Sequence, residues 1–476
     1  MVVLRSRLDI TLDVFERVAW GGEPVRVDPS ALEAADAVRE SFLRLIARPD
    51  VTVYGVTSGY GDRAGERLDD AERRQHASAA ALRAVSFGEP LPARVVRGIV
   101  LARLANFLDG YAAVSGRLIE SVASLLSPGR ELPVVPGQGN GGSGEILALS
   151  HLFSPLIESG DLGDKEGLAL INGSPCAAAL VADAAVAAQP RLQLAYDVFA
   201  LSVEAFHAPL DAYDEALESL WDDEHETRAL QELRARLHRD GERRSHQGPV
   251  AFRILPRVLG QVERTIHAAA DVAAISLRSV SDNPVYLPPS DGFPDGRVLS
   301  TGGYHNAPAP AALQQLALCW ADLCQLAERH VERLVFTPTG DTSDSEEVFR
   351  LLMMVAVGYS EEARAAAQSV VLPRGGPGQN DVTSPSFLAA SYETNAGNCL
   401  TAVLAVLAAA ACRRLGGRLP HPRLAAVHED CREVVAALSD GRAVGRELEA
   451  LAGRFRERLV TPTERPVLDA RARTVR

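Results

Sequence analysis

Aromatic residues and lysine are scarce in this sequence. Phe, Trp and Tyr together make up 5% of the 476 residues, and Lys165 is the only lysine, so arginine carries nearly all of the basic charge. The formal net charge is -13, and no basic run could follow a phosphate backbone, which argues against a nucleic-acid partner. With 47% hydrophobic residues, a chain of this length can bury a sizeable core.

Cysteine pairs at metal-ligand spacing are also missing. The six cysteines are scattered through alanine-rich segments, and no signal peptide precedes them. We therefore expect buried free thiols, no metal and no diffusible cofactor. The most apolar run, 401–412, is shorter than the roughly 20 residues that span a bilayer. These features predict a cytoplasmic protein without membrane contact.

Stretches rich in Ala, Leu and Val predict an all-α protein. Several of them exceed about 25 residues, a length typical of helices that pack side by side in bundles, often across subunits. In the N-terminal region, the β-branched segment Val51–Val56 predicts a short extended piece. The predicted helices cover 92–126, 165–188, 192–220, 256–280, 308–336, 346–372 and 385–415.

No composition shift or repeat marks a domain boundary. We expect a single domain over 1–476, in which a small, mixed, loop-rich region at 1–90 precedes a helical bundle at 91–420 and C-terminal helices at 421–476.

The most unusual segment is Pro136–Glu145, in which five of ten residues are glycine. A flexible linker would normally join polar surfaces, whereas this one lies between two apolar helices. It is therefore expected to be a buried loop whose backbone has a chemical role. A phosphate-binding loop is the obvious rival, but the Lys-Ser/Thr ending and a convincing preceding strand are absent.

Five motifs follow one another along the chain: Tyr54–Gly61 (YGVTSGYG), Gly141–His151 (GGSGEILALSH), Glu166–Gly173 (EGLALING), Ser279–Pro284 (SVSDNP) and Gly302–His305 (GGYH). In type and order they resemble the motifs of aromatic amino acid ammonia-lyases and aminomutases, the family of the histidine and phenylalanine enzymes. The resemblance extends over roughly residues 10 to 435. It implies a long-helix bundle of the ammonia-lyase/fumarase type, with a mixed N-terminal region that carries the inner loop.

The resemblance further implies a carbon–nitrogen lyase or 2,3-aminomutase that acts on a small-molecule amino acid. Proteins of this family are homotetramers, and their active sites draw residues from more than one subunit, so a homotetramer is the expected assembly.

In the family, an Ala-Ser-Gly triad cyclises without help into methylidene-imidazolone (MIO). The matching triad is Gly142-Ser143-Gly144. The amide nitrogen of Gly144 would attack the carbonyl of Gly142, which requires a residue without a side chain to block the approach. Loss of one water closes the ring, and loss of a second removes the Ser143 hydroxyl to leave an electrophilic methylidene.

Further roles follow from the same resemblance. Tyr54 matches the inner-loop tyrosine that removes the β-proton of the substrate. Asn172 matches an asparagine that positions the substrate near the MIO. Arg253, in a segment that begins at Gln247, matches the arginine that clamps the substrate carboxylate, a task for a planar bidentate donor. Tyr304 matches an aromatic wall beside the MIO.

The sequence also departs from the family pattern. Gly142 replaces an alanine, and Val250 replaces a second tyrosine that assists proton transfer. Arg83 stands where the family reads the substrate side chain, and Asn380 replaces a glutamate or glutamine. The segment Asp222–Glu226 replaces the His-Pro-Gly-Gln of histidine ammonia-lyases. A cation at residue 83 favours a polar or acidic substrate over an imidazole or phenyl side chain.

Three functions are compatible with this pattern. The first is an MIO-dependent ammonia-lyase or aminomutase for a non-standard α-amino acid. The second is an MIO-independent lyase on the same scaffold, with Tyr54 as its base. The third is a non-catalytic relative that binds an amino-acid-like ligand, which the loss of the tyrosine at Val250 would favour.

Overall fold

Long α-helices dominate the structure, and the all-α prediction is confirmed. The computed structural model describes residues 1–59, 63–69, 71–73, 79–245, 247–338, 343–376 and 378–460. Its α-helices are α1 Leu12–Phe15, α2 Pro29–Ile46, α3 Ala93–Leu108, α4 Gly116–Ser124, α5 Ile146–Glu158, α6 Glu166–Ile171, α7 Pro175–Phe206, α8 Ala216–Trp221, α9 Glu224–Arg234, α10 Val250–Arg253, α11 Leu255–Arg278, α12 Pro308–Val335, α13 Asp344–Ala366, α14 Ser386–Leu415, α15 Ala425–Asp430, α16 Arg432–Ser439 and α17 Gly445–Val460.

Two small sheets, together with several short 3₁₀ or π segments, complete the described secondary structure. Strand β1, Val2–Leu4, pairs in parallel with β2, Val25–Val27. Strand β3, Val285–Leu287, pairs antiparallel with β4, Arg297–Leu299, and Val285 lies opposite Leu299. Because each strand has only three residues, these sheets tie loops to the bundle and form no layer of their own.

Helices α7, α11, α12, α13 and α14 pack side by side to form the bundle. The many alanines of α7 and α14 let neighbouring backbones approach closely. Trp320 is fully buried at the centre, where its Nε1 donates to Glu393 at 2.8 Å. Arg191 of α7 pairs with the same carboxylate at 3.2 Å, so one polar network links α7, α12 and α14.

Four predicted helices differ from the observed ones. The helix predicted over 165–188 is interrupted at 172–174, the one over 192–220 is interrupted at 207–215, and the one over 346–372 ends at Ala366. The segment 92–126 is not one helix, since the chain leaves the helical path after Leu108, where Gly110 and Ala113 both have positive φ. The predicted break before Leu192 is also wrong: α7 continues through Pro190. A proline inside a helix is costly, but buried side chains hold both flanks of α7 in place here.

The segment Val51–Val56 forms turns and no strand, which corrects the prediction of an extended piece. Its β-branched side chains are nevertheless buried: Val53 and Val56 pack against Phe42 and Tyr286 in a small hydrophobic cluster beside the main core. The β-branched composition of this segment is therefore explained by burial and not by pairing with another strand.

Two helical segments, 166–206 and 386–415, are long and apolar enough to cross a bilayer. The helix 386–415 extends well beyond 401–412, which is the most apolar run of the sequence. The most apolar windows of these segments are 100% and 89% buried inside the protein, so they are core helices of the bundle.

All six cysteines are free and buried, which confirms that prediction. Burial raises the pKa of Cys319 and of Cys399 to about 11, so both remain thiols at neutral pH. Buried residues from the N-terminal region, the bundle and the C-terminal helices join one hydrophobic core. The boundaries at residues 90 and 420 stay a prediction.

Candidate active site

The glycine-rich loop ends in a series of unusual backbone conformations. Gly142 has φ +107° and Gly144 has φ +77°, values that L side chains rarely adopt. Glu145 follows with φ +57°, and α5 begins immediately after it. The two glycines therefore fit a backbone path that a residue with a Cβ would strain.

Gly144 lies directly against Asn172, the residue that ends α6. A Cβ on Gly144 would be only 2.2 Å from Asn172 Oδ1, so glycine is required at this approach. The amide of Gly173 donates to the Gly144 carbonyl at 3.0 Å. The other end of the Asn172 side chain is also held, because its Nδ2 donates to the Asn283 carbonyl at 2.8 Å. Asn172 thus joins the glycine loop to the segment before β3.

The Ser143 hydroxyl donates to Asn380 Oδ1 at 2.9 Å. The two residues are 237 positions apart in sequence, and Asn380 lies in a one-turn 3₁₀ segment, Gly378–Asn380, ahead of α14. The structure therefore brings together two predicted site residues that no local pattern connects.

Glu145 anchors the loop to the start of α7. Its carboxylate accepts hydrogen bonds from the backbone amides of Cys176 and Ala177, at 2.6 and 2.7 Å. Free amides at a helix start favour a carboxylate. Burial acts in the opposite direction and is the larger effect, because it raises the pKa of Glu145 to about 7.

Arg103, fully buried in α3, positions the segment that ends in Asn172. Its Nη1 donates to the carbonyls of Ala169 and Asn172, at 2.7 and 3.0 Å. A Cβ on Gly173 would lie 2.3 Å from Arg103 Nη2, so the guanidinium packs directly on this backbone. Burial lowers the pKa of Arg103.

A fully buried ion pair lies beside this arginine. Lys165, the only lysine of the chain, pairs with Asp282 and donates to the Ala112 carbonyl at 2.8 Å. Asp282 immediately precedes Asn283, the hydrogen-bond partner of Asn172. The ion pair therefore anchors the chain at Asp282, next to the Asn283 carbonyl that holds the Asn172 side chain.

Tyr304 is half-buried in the loop after β4. Two contacts place this loop beside the site: the amide of Thr301 donates to Asn283 Oδ1 at 2.8 Å, and Gly303 packs on the backbone of Ser281. The hydroxyl of Ser281 in turn accepts a hydrogen bond from the amide of Ser174 at 2.9 Å. Tyr304 thus lies on the same side of the bundle as the glycine loop.

Arg83 and Tyr54 are both half-buried on the N-terminal side. Arg83 ends a short 3₁₀ helix that packs on α5, where Ser150 Oγ donates to the Ala80 carbonyl at 3.2 Å. Tyr54 begins a turn whose neighbours are buried, and the last two residues of its motif, Tyr60 and Gly61, are outside the described residues.

Arg253 lies at the other end of α7 from the glycine loop. It ends α10, whose Phe252 ring stacks on Phe206, the last residue of α7, at 4.5 Å between centroids. Gln247 and Gly248 lie at this end too, since Gly248 is next to Pro209.

The glycine loop is attached to Cys176 and Ala177 in the first turn of α7, whereas Arg253 lies beside Phe206, which ends this 32-residue helix about 30 residues later. At 1.5 Å per residue the separation is roughly 45 Å. Within one chain, Arg253 and Ser143 do not form a common site.

Buried groups hold α10 in place. His330 of α12, whose pKa burial lowers to about 4, contacts the Ala251 carbonyl through Nε2 at 3.1 Å. Tyr213 donates to the Phe252 carbonyl at 2.7 Å. Arg253 and Val250 themselves remain exposed on this well-anchored turn.

A sequence model described as aromatic amino acid lyase matches residues 10–162 and 156–437. The chain belongs to this family. It is 32% identical to histidine ammonia-lyase of Geobacillus thermodenitrificans over 371 residues, 70% of this chain and 71% of that protein. As an aromatic amino acid lyase it is an ammonia-lyase or an aminomutase.

Solved structures share the fold of this lyase. Tyrosine aminomutase from Streptomyces globisporus has a TM-score of 0.82 at 23% identity, and the match covers 95% of this chain and 96% of that one. The ergothioneine-degrading enzyme ergothionase from Treponema denticola has a TM-score of 0.85 at 17% identity, with coverage of 97% and 100%. At such low identities the likeness establishes the architecture alone.

Sequence reasoning missed several residues of this lyase that hold the loop. Glu145 and Asp282 stand inside recognised motifs, so their position was a usable signal. The sequence signal for Arg103 was weaker: it is the one charged residue in 98–108, the apolar second half of α3. A buried charge needs partners, and here the partners are backbone carbonyls next to the candidate site.

The raised pKa of Glu145 predicts a pH-dependent stability. Between its ordinary pKa of 4.5 and about 7, the folded lyase holds a proton that the unfolded chain releases. This contribution to the free energy of unfolding, about 3 kcal/mol, is fully present below pH 4.5 and is lost as the pH rises to about 7. We expect the Tm in scanning calorimetry to fall less from about pH 5 to about pH 8 in Glu145→Gln than in wild type. Glu158→Gln, an exposed change on α5, is the control and should follow wild type; equal slopes for all three proteins would contradict the assignment.

Proposed function

We propose that this chain is an MIO-dependent ammonia-lyase or 2,3-aminomutase whose substrate is a polar or acidic α-amino acid. The observation that carries the proposal is the approach of Gly144 to Asn172, which leaves no room for a side chain on the residue whose nitrogen would close the ring. A flexible surface linker would have no need for this contact. We further propose that the protein is cytoplasmic.

The residues of the loop fit the prosthetic group. Gly142 has open space around the position of a Cβ, and the Ser143 hydroxyl, which the second dehydration would remove, makes its hydrogen bond to a side chain and not to the loop itself. Gly142, Ser143 and Gly144 would supply its atoms, while Asn172 and Glu145 hold the loop in place. When formed, the MIO supplies an electrophile for the substrate amine.

The other residues would bind and orient the amino acid. Tyr54 would take the β-proton through its phenol oxygen, and Asn172 would position the substrate beside the loop. Arg253 would clamp the carboxylate with two parallel hydrogen bonds, assisted by Gln247. Tyr304 would form an aromatic wall that excludes water.

A complete site needs a second chain. Because α7 separates Arg253 from Ser143 by roughly 45 Å, the clamp would come from a neighbouring subunit. We propose a homotetramer, as the family resemblance implies. Several large apolar side chains on the bundle helices are exposed in the single chain and are suited to such contacts. They are Ile275, Leu318, Leu351, Met354 and Leu388.

The substrate class follows from the residues around the loop. Arg83 would offer a cation to the side chain of the amino acid, and Asn380 a neutral amide. The exposed Val250 has no group that could exchange a proton, so Tyr54 would carry the proton transfer.

Ring formation predicts a mass change. We expect the intact mass of the purified chain to be lower than the sequence mass by two water molecules. Ser143→Ala should not show the loss of two waters, since it has no hydroxyl for the second dehydration. Mass spectrometry of the denatured proteins measures both, and an unmodified wild-type chain would contradict the MIO assignment and leave an MIO-independent lyase or a binding protein.

Substrate preference tests the role of Arg83. We expect the wild type to turn over acidic or polar α-amino acids faster than histidine or phenylalanine, and Arg83→His to lose about ten-fold or more in kcat/KM for its best substrate. Ammonia release, together with chromatography for a β-amino acid product, measures turnover. Arg130→His, a change in the exposed turn after α4, is the matched control. A wild type that prefers histidine or phenylalanine would refute this role.

Subunit mixing tests the shared site. Ser143→Ala and Arg253→Gln should each be inactive alone, whereas co-expression of the two chains should restore activity in about a quarter of the sites, those that combine an intact loop with an intact clamp from the neighbouring chain. If both groups came from the same chain, no mixed oligomer would contain an intact site. Mixtures that stay as inactive as the single variants would therefore exclude the shared arrangement.

A further inference from the structure

Helices α9 and α11 approach each other unusually closely at Gly260. A Cβ on this glycine would lie 2.8 Å from the Cα of Glu226, so only glycine allows the contact. The approach brings His225, in the first turn of α9, against Glu263 and His267 on α11. Glu263 and His267 are four residues apart, so they lie on one face of their helix.

One potential ligand atom from each of these three residues lies within 4.8 Å of the other two. Two imidazoles and a carboxylate are a donor set that suits Zn²⁺ and related divalent transition metals. The residues belong to neither the glycine loop nor the carboxylate clamp. His225 also belongs to the segment 222–226, where this sequence departs from the histidine ammonia-lyases.

The three groups are poorly satisfied without a further partner. His225 is 8% exposed and Glu263 4% exposed. His225 Nδ1 is buried without a hydrogen-bond partner, and Glu263 Oε2 accepts none. Unsatisfied buried polar atoms are rare in proteins and need an explanation.

Two neighbours already contact Glu263. Tyr196 donates to Oε1 at 3.1 Å, and Arg228 Nη1 lies 3.3 Å from Oε2 and 3.2 Å from His267 Nε2. The Tyr196 bond orients the carboxylate, as partners of metal ligands do, while Oε2 forms an ion pair with Arg228. Arg228 competes with a cation for the same place, but its side chain is 47% exposed and can turn out to solvent.

We propose that His225, Glu263 and His267 form a binding site for one Zn²⁺ ion per chain, with a water in the remaining position. This departs from the sequence expectation of no metal. Ligand atoms that are each about 2.1 Å from one Zn²⁺ ion lie closer together than 4.8 Å, so the proposal includes a movement of these side chains towards one another.

The ion would join α9 to α11. Since α11 follows directly after α10, it would stiffen the support of the turn that carries Arg253. The site is separate from the glycine loop that carries Ser143.

Zn²⁺ titration tests the proposal. Protein freed of metal with a chelator is titrated with Zn²⁺ in competition with a chromophoric chelator. We expect one equivalent to bind to the wild type, and His225→Ala or His267→Ala to weaken binding at least about ten-fold. Arg228→Gln should bind more tightly than wild type, because it removes the competing cation. His428→Ala, which changes a histidine of α15 outside the cluster, should bind as wild type does.

The wild-type stoichiometry is read first, so its result stands however the variants fold. No bound equivalent, or equal binding in the wild type and both histidine variants, would overturn the site. Binding of Co²⁺ with the visible absorption of a low-coordinate ion, absent in His267→Gln, would support it. The measurement needs no turnover, and Ser143→Ala should bind Zn²⁺ as wild type does, so failure here is independent of failure of the proposed reaction.

Discussion

The contact between Gly144 and Asn172 is the constraint on which the site depends. Asn172 is held in this position because its backbone carbonyl accepts a hydrogen bond from Arg103 and its side-chain Nδ2 donates to the Asn283 carbonyl. Glu145 completes the arrangement from the other direction by fastening the loop to the first amides of α7. A loop with three glycines at positive φ has high conformational entropy when free, and these contacts remove it in advance of any chemistry.

Helix α7 has a second consequence. It is the longest described helix, and it separates the glycine loop from the turn that carries Arg253. In a single chain, the loop around Ser143 and the turn around Arg253 are thus two separate, well-anchored regions. Both ends are supported by buried polar groups, the ion pair of Lys165 with Asp282 at one end and His330 at the other. Subunits that meet across these separated groups, as proposed above, would explain why both are held by buried polar contacts.

Much of the fold could be predicted from the sequence, and the failures have physical causes. Apolar spacing located α11, α12 and α14 to within a few residues, because these helices are bounded by clear Gly, Pro or Asp signals. Pro190 led to the wrong prediction of a helix break, because proline is a local sequence signal, whereas the packing that tolerates it involves residues distant in sequence. Val51–Val56 misled it for a similar reason: β-branched residues indicate burial as well as strands.

The sequence by itself determined the all-α architecture, the buried thiols and the glycine triad, because helix periodicity, thiol burial and the need for glycine at a close approach are properties of short segments. Only the tertiary structure decided that Asn380 meets Ser143, that Arg253 lies at the far end of α7, and that His225 faces Glu263 and His267. Those distances depend on how the helices pack and how long they are, and a one-dimensional pattern carries no measure of either.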